Sequence, residues 1–105
     1  MTTLTICKTE IGGEILENDY TVKEDGYGCG RIRLGFMAGA KPKWLWFVNP
    51  PLPVPAAYTG TAGSFEAAKA QFKVAWEDFR ATLTPERVAH WHELEDSVRE
   101  RFAGG

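Results

Sequence analysis

The sequence predicts an α+β fold: an antiparallel three- to four-stranded sheet packed by one amphipathic helix, with a second helix at the C-terminus. Three observations carry this. "CGRIRL", residues 29–34, alternates with a period of two, Ile32 and Leu34 on one face and Arg31 and Arg33 on the other, as a half-buried strand does. "EDGYG", just before it, holds an Asp25-Gly26 pair, a strong tight-turn signal because glycine accepts a positive φ. Phe65, Ala68, Phe72, Ala75, Trp76, Phe79 and Leu83 recur at intervals of mostly three and four, which lines them up as one stripe of a helix.

Three strands are read in order, with "TLTI" at the start a candidate for a further short edge strand. Tyr20–Lys23 follows, with Tyr20 and Val22 alternating with Thr21 and Lys23. The next strand is Cys29–Leu34. A turn with Gly35, Gly39 and Pro42 leads to Trp44–Val48, and "YTGTA" is the other candidate for an added strand, closing the sheet before the helix. Ser64 is suited to cap the first helix, since its hydroxyl can accept from a free N–H of the first turn. Burial of each large residue on the stripe contributes about 1.5–3 kcal/mol, so this helix dominates the expected core. Thr84 caps the second helix, Pro85 takes its first position, and the helix runs to about Phe102 before "AGG" stops it. Its stripe is thinner: Val88, Trp91, Leu94 or Glu95, Val98 and Phe102. The expected division is a core over residues 1–83 and a helical extension of the same domain over 84–105.

At 105 residues and 44% hydrophobic content the chain is sized for one domain with one core. Its net charge of −2 argues against a protein held to nucleic acid by bulk charge. No apolar run is long enough to span a bilayer, and "MTTLTICKTE" has neither the basic region nor the apolar core of a secretory signal, so the expected location is cytoplasmic, with no membrane partner. The charge is unevenly spread. Residues 1–25 carry Glu10, Glu14, Glu17, Asp19, Glu24 and Asp25 against Lys8 and Lys23. From Gly26 to Phe65 there is no acid, while Arg31, Arg33, Lys41 and Lys43 are present.

Tyr20-x-Val22, Asp25-Gly26, Gly30-Arg31-Ile32, Trp44-x-Trp46 and "GTAGSFEAAKAQFKVAW" together resemble a group of short, uncharacterised bacterial proteins, over about residues 2–80. The resemblance implies a compact sheet with one helix and carries no activity or catalytic residues. The segment Gly60-x-Ala62-x-Ser64-x-Glu66-Ala67 is more loosely similar to the strand-to-helix entry of small β-β-β-α antitoxins. The chain departs from those after Leu83, with no ribbon-helix-helix or helix-turn-helix appended.

Site chemistry is sparse. "GYGCGR" has glycines at 26, 28 and 30, but it lies between strands and does not open a helix, so it is read as a hairpin with flexible shoulders and not as a phosphate loop. In "HWHELED", His90 and His92 are two apart and point about 200° away from each other on a helix. His92 with Asp96 supplies two ligands and no third, so no metal site is expected. Cys7 and Cys29, the two cysteines, form no C-x-x-C pair and are read as free, half-buried thiols. No serine or cysteine has the context of a nucleophile. No catalytic residue, metal or cofactor is therefore expected, and the chain is read as a non-enzyme.

"WLWFVNPPLPVPAAY", residues 44–58, joins an apolar strand to four prolines within six positions. Asn49-Pro50-Pro51 ends the strand, because proline has no N–H for the ladder. Pro50-x-x-Pro53 has the polyproline spacing but reads as a stiff loop from sheet to helix. If Ile32 and Leu34 share a face with Leu45 and Phe47, then Arg31, Arg33, Trp44 and Trp46 share the other, where arginine over tryptophan is a favourable pairing. Arg31, Arg33, Lys43, Trp44 and Trp46 are accordingly the expected binding residues. The expected function is a small non-catalytic protein-binding module, antitoxin-like or defence-inhibiting, whose C-terminal helix is a candidate contact between copies. The rival readings are a nucleic-acid binder that stacks bases on the tryptophans, and a small enzyme or ligand carrier.

Overall fold

The computed structural model describes residues 4–36, 39 and 41–103. Five strands form one antiparallel sheet in the order β1-β2-β3-β4-β5: β1 Leu4–Ile11, β2 Glu14–Glu24, β3 Tyr27–Gly35, β4 Lys43–Val48 and β5 Thr59–Ala62. Two helices follow, α1 Phe65–Arg80 and α2 Pro85–Ala103. The α+β class and the order of elements match the expectation, and the sheet has five strands where three to four were expected. Thr3, first residue of the expected "TLTI" strand, the side chain of Phe102 and residues 104–105 lie outside the described part of the structure.

The extra extent is in the first hairpin. Gly12 and Gly13 adopt φ of 59° and 85°, and Asp25 and Gly26 adopt 51° and 87°. Both pairs make two-residue turns whose twist matches that of paired strands. Consecutive hairpins of a meander turn at alternate ends of the sheet. The β1–β2 and β3–β4 connections therefore share one end, and the β2–β3 turn lies at the other.

One face of the sheet is covered by α1. Ala68, Phe72, Trp76 and Phe79 are buried against Val22, Ile32, Trp46, Val48 and Ala62. This is the predicted stripe. Ser64 caps the helix as expected, its hydroxyl accepting from the Ala67 N–H at 3.1 Å. Two glycines make room for core aromatics. A Cβ on Gly30 would overlap the Phe72 ring, and one on Gly60 would overlap Trp46. Gly30 is thus a seat for a core aromatic and not a flexible shoulder, and a side chain on Gly28 would meet Glu95 of α2.

Helix α2 closes the end of the sheet that carries the Asp25-Gly26 turn. Trp91 is fully buried, its ring 5.5 Å from Trp76 in an edge-on contact, and its indole N–H donates to the Gly28 carbonyl at 3.0 Å. The Gly28 N–H donates to Glu95 Oε1 at 2.6 Å. Of the expected α2 stripe, Val98 is exposed, and of the pair Leu94 or Glu95, Glu95 turns to the sheet. Glu24, only 3% exposed, accepts from the Trp76 indole and from Arg80, both at 3.0 Å. A buried carboxylate is tolerated when its oxygens are paired in this way. Beyond β4, the Asn49 N–H reaches the Cys29 carbonyl at 2.9 Å, after which the prolines carry the chain through a 3₁₀ turn at Ala56–Tyr58 into β5. No described helix is long and apolar enough to cross a membrane.

Candidate contact surface

The register of β3 and β4 decides which side chains share a face. Ile32 pairs with Trp46 and Leu34 with Trp44, whereas Arg31 pairs with Phe47 and Arg33 with Leu45. The tryptophans therefore lie on the helix side with Ile32 and Leu34, and the arginines share the outer face with Leu45 and Phe47. This corrects the conditional grouping of arginines with tryptophans. A continuous apolar run has no alternation, so nothing in "WLWFV" says which half turns inward. Trp46 is 7% exposed, and its indole N–H donates to Gln71 of α1 at 2.9 Å. Trp44 is half-buried against Phe65, with ring centroids 5.1 Å apart.

Arg31 has a structural partner. Its Nε and terminal nitrogen bind the two oxygens of Asp19 at 2.8 and 2.5 Å. Thr9 also donates to Asp19, at 2.8 Å, and its hydroxyl lies 3.0 Å from that of Thr21. Four residues on three adjacent strands are locked together on the outer face. The Arg31 guanidinium, and then the Thr9 hydroxyl, hold the Asp19 carboxyl below its ordinary value against the opposing effect of burial.

Arg33 stands differently. Its guanidinium lies over the Phe47 ring, 5.8 Å from the centroid. Beside it Arg33, Gly35, Phe36, Lys41, Lys43, Leu45 and Thr61 line a groove of about 210 Å³. Phe36 is 75% exposed. The result is a cationic rim around half-exposed apolar side chains, at the end of the sheet that carries the β3–β4 turn. Helix α1 lies on the opposite face, and α2 meets the sheet at Tyr27 and Gly28. Of the expected binding residues, the structure brings Arg33 and Lys43 together, ties Arg31 to Asp19, and turns Trp44 and Trp46 to the helix side. Lys41, Leu45 and Phe47 join the surface. Lys41 was visible in the acid-free stretch, while Leu45 and Phe47 depended on the register.

His92 and Asp96, the two candidate ligands on α2, both lie against Tyr27. His92 stacks on Tyr27, with centroids 3.8 Å apart and an interplanar angle of 12°. Asp96 accepts from the Tyr27 hydroxyl at 3.4 Å. Among the described residues no group of three or more His, Cys, Asp or Glu is placed to hold a metal ion. Both cysteines are free, but they are not equivalent: Cys7 is exposed on the outer face and Cys29 is buried, a correction to two half-buried thiols. Burial, then the nearby charges of Glu24 and Glu95, push the Cys29 thiol far above its ordinary value. No protein-family model, curated protein or solved structure matches the chain.

Proposed function

We propose that the chain is a small, non-catalytic protein-binding module that meets an acidic surface on another protein with the outer face of its sheet. The observation that supports this most directly is the composite of Arg33 over Phe47 with Lys41, Lys43, Leu45 and Phe36 around one groove. Arginine and aromatic side chains are the types enriched where binding energy concentrates, and half-exposed apolar side chains inside a charged rim are what such sites are built from. An antitoxin-like or defence-inhibiting accessory role is an activity of this kind, since it needs contact and no chemistry.

The test is charge reversal that spares Arg31. Arg33→Glu with Lys43→Glu changes one half-buried and one exposed surface charge, neither in an ion pair of the described residues, so the circular dichroism spectrum and melting temperature should stay within a few degrees of wild type. The variant should lose the partner recovered by the wild-type chain from cells that make it, because like charges then face each other. Purified partner should reproduce the loss. Equal recovery by both chains removes this surface as the contact.

A further inference from the structure

The end of the sheet that carries the basic groove also carries an acidic ribbon. The last β2–β3 pair is Asp19↔Arg33, so Glu14–Asn18 of β2 has no partner in β3. Among the described residues this stretch and the end of β1 pair with each other alone, Glu10↔Ile15 and Ile11↔Glu14, and project as two strands. The register shifts between Lys8 and Glu10, and Asn18 adopts a φ of 54°, so both strands are irregular where the ribbon leaves the sheet. Residues 9–18 contain Glu10, Glu14 and Glu17 and no base. Ile11 and Ile15 are 57% and 62% exposed. Across the same end, residues 33–43 contain Arg33, Lys41 and Lys43 and no acid, with Phe36 and Leu45 beside them. A two-stranded ribbon with bare isoleucines is marginal in water by itself, which calls for a cover.

We infer that two copies of the chain associate end to end about a two-fold axis, the acidic β1–β2 ribbon of each seated on the basic β3–β4 end of the other. The inference rests on the reading of the basic groove as a contact surface and names a second copy as an occupant of its end. The symmetry is what makes the charges fit. A two-fold axis along the sheet normal inverts strand direction and also exchanges left and right. The acidic hairpin of one copy then meets the basic hairpin of the other, twice. An isologous contact needs this self-complementarity, and the chain provides it with three acids beside three bases. Ile11 and Ile15 belong to neighbouring cross-strand pairs and point to opposite faces, so one isoleucine of each ribbon meets Phe36 and Leu45 in the same contact.

The experiment is sedimentation equilibrium on the full chain from micromolar to near-millimolar concentration. The wild-type chain should form a dimer in low salt. Its affinity should fall at least tenfold between about 0.1 M and 1 M salt, as the screening length drops from about 10 Å to about 3 Å. One variant carries Glu10→Lys, Glu14→Lys and Glu17→Lys, which makes the end wholly basic. The other carries Arg33→Glu, Lys41→Glu and Lys43→Glu, which makes it wholly acidic. Each alone should be monomeric, and an equimolar mixture should form a one-to-one dimer, because both contacts are then restored. A monomeric wild type, a salt-indifferent dimer, dimers of either variant alone, or a mixture that stays monomeric each overturns the inference. If a reversal unfolds the chain, Glu10→Gln, Glu14→Gln and Glu17→Gln together should weaken the wild-type dimer at least tenfold, and unchanged affinity overturns it. A monomeric wild type whose Arg33→Glu, Lys43→Glu variant still loses its partner overturns the dimer and leaves the contact face standing.

Discussion

Replacing Trp91 by alanine tests whether α2 is an accessory or part of the core. On sequence alone the helix looks dispensable: its stripe is thin, and its expected division from the rest falls after Leu83. The structure gives its one tryptophan a central place. Trp91 is fully buried, meets Trp76 at 5.5 Å and Tyr27 at 6.2 Å, and donates to the Gly28 carbonyl at 3.0 Å. Truncating a buried tryptophan costs about 3–5 kcal/mol through lost transfer energy and the cavity left behind. Leaving the Gly28 carbonyl without its donor adds about 1 kcal/mol or more where water cannot reach it. In a domain of this size each kcal/mol lowers the melting temperature by about 4–8 °C, so the variant should melt at least about 12 °C below wild type. Thermal unfolding followed by circular dichroism and by tryptophan fluorescence measures it. Trp91→Phe keeps most of the apolar area and removes the donor, so it should lose much less. A shift for Trp91→Ala below about 4 °C, the size expected for a loss of roughly 1 kcal/mol, would refute the argument and return α2 to the status of an appendage.

Two further outcomes follow from single groups. Asp19 is held below its ordinary value in the folded chain, so its contribution is complete above the unfolded value of about 3.9 and is lost as pH falls through the lower folded value. The stability gap between wild type and Asp19→Asn, measured by urea midpoint, should therefore be constant near neutrality and narrow below about pH 4, and a gap that widens in acid contradicts the pairing with Arg31. With a thiol reagent at mildly alkaline pH, Cys7 should be labelled at once and Cys29 only after unfolding, so two immediate equivalents, read by mass, would contradict the buried place of Cys29.

The sequence was most legible where one physical rule acted alone. The α1 stripe has a single period and a single cap, and Phe72, Trp76 and Phe79 are all buried along it. Asp25-Gly26 is a turn for a backbone reason that no tertiary contact overrides. The β1–β2 ribbon escaped because its residues show no clean alternation, although Gly12-Gly13 between Ile11 and Ile15 is itself a two-residue turn signal. The face of β4 escaped because register is a property of a pair of strands, and here either side of "WLWFV" is apolar enough to be buried. The weight of Trp91 escaped because counting residues on a stripe treats them as equal, whereas one aromatic wedged between Trp76 and Tyr27 outweighs the exposed Val98.

The same register bears on the choice between a protein and a nucleic acid as partner. A base-stacking surface needs exposed aromatic faces beside several free cations. Trp46 lies beneath α1 with its indole bonded to Gln71, and Trp44 is packed on Phe65, so the two tryptophans that suggested stacking are engaged on the helix side. Arg31 is neutralised by Asp19, which leaves Arg33, Lys41 and Lys43 at the groove. Three cations release few counterions: the affinity of a single strand would fall with a log–log salt slope of only about −2, in a chain whose net charge is already −2. The outer face also carries threonine: Thr5, Thr59 and Thr61 are exposed and keep strand conformation while remaining wetted, and Thr9 and Thr21 are tied into the Asp19 cluster. Beside them Arg33, Leu45 and Phe47 make a compact cationic and apolar patch, a pattern suited to a short acidic and apolar segment of a protein surface.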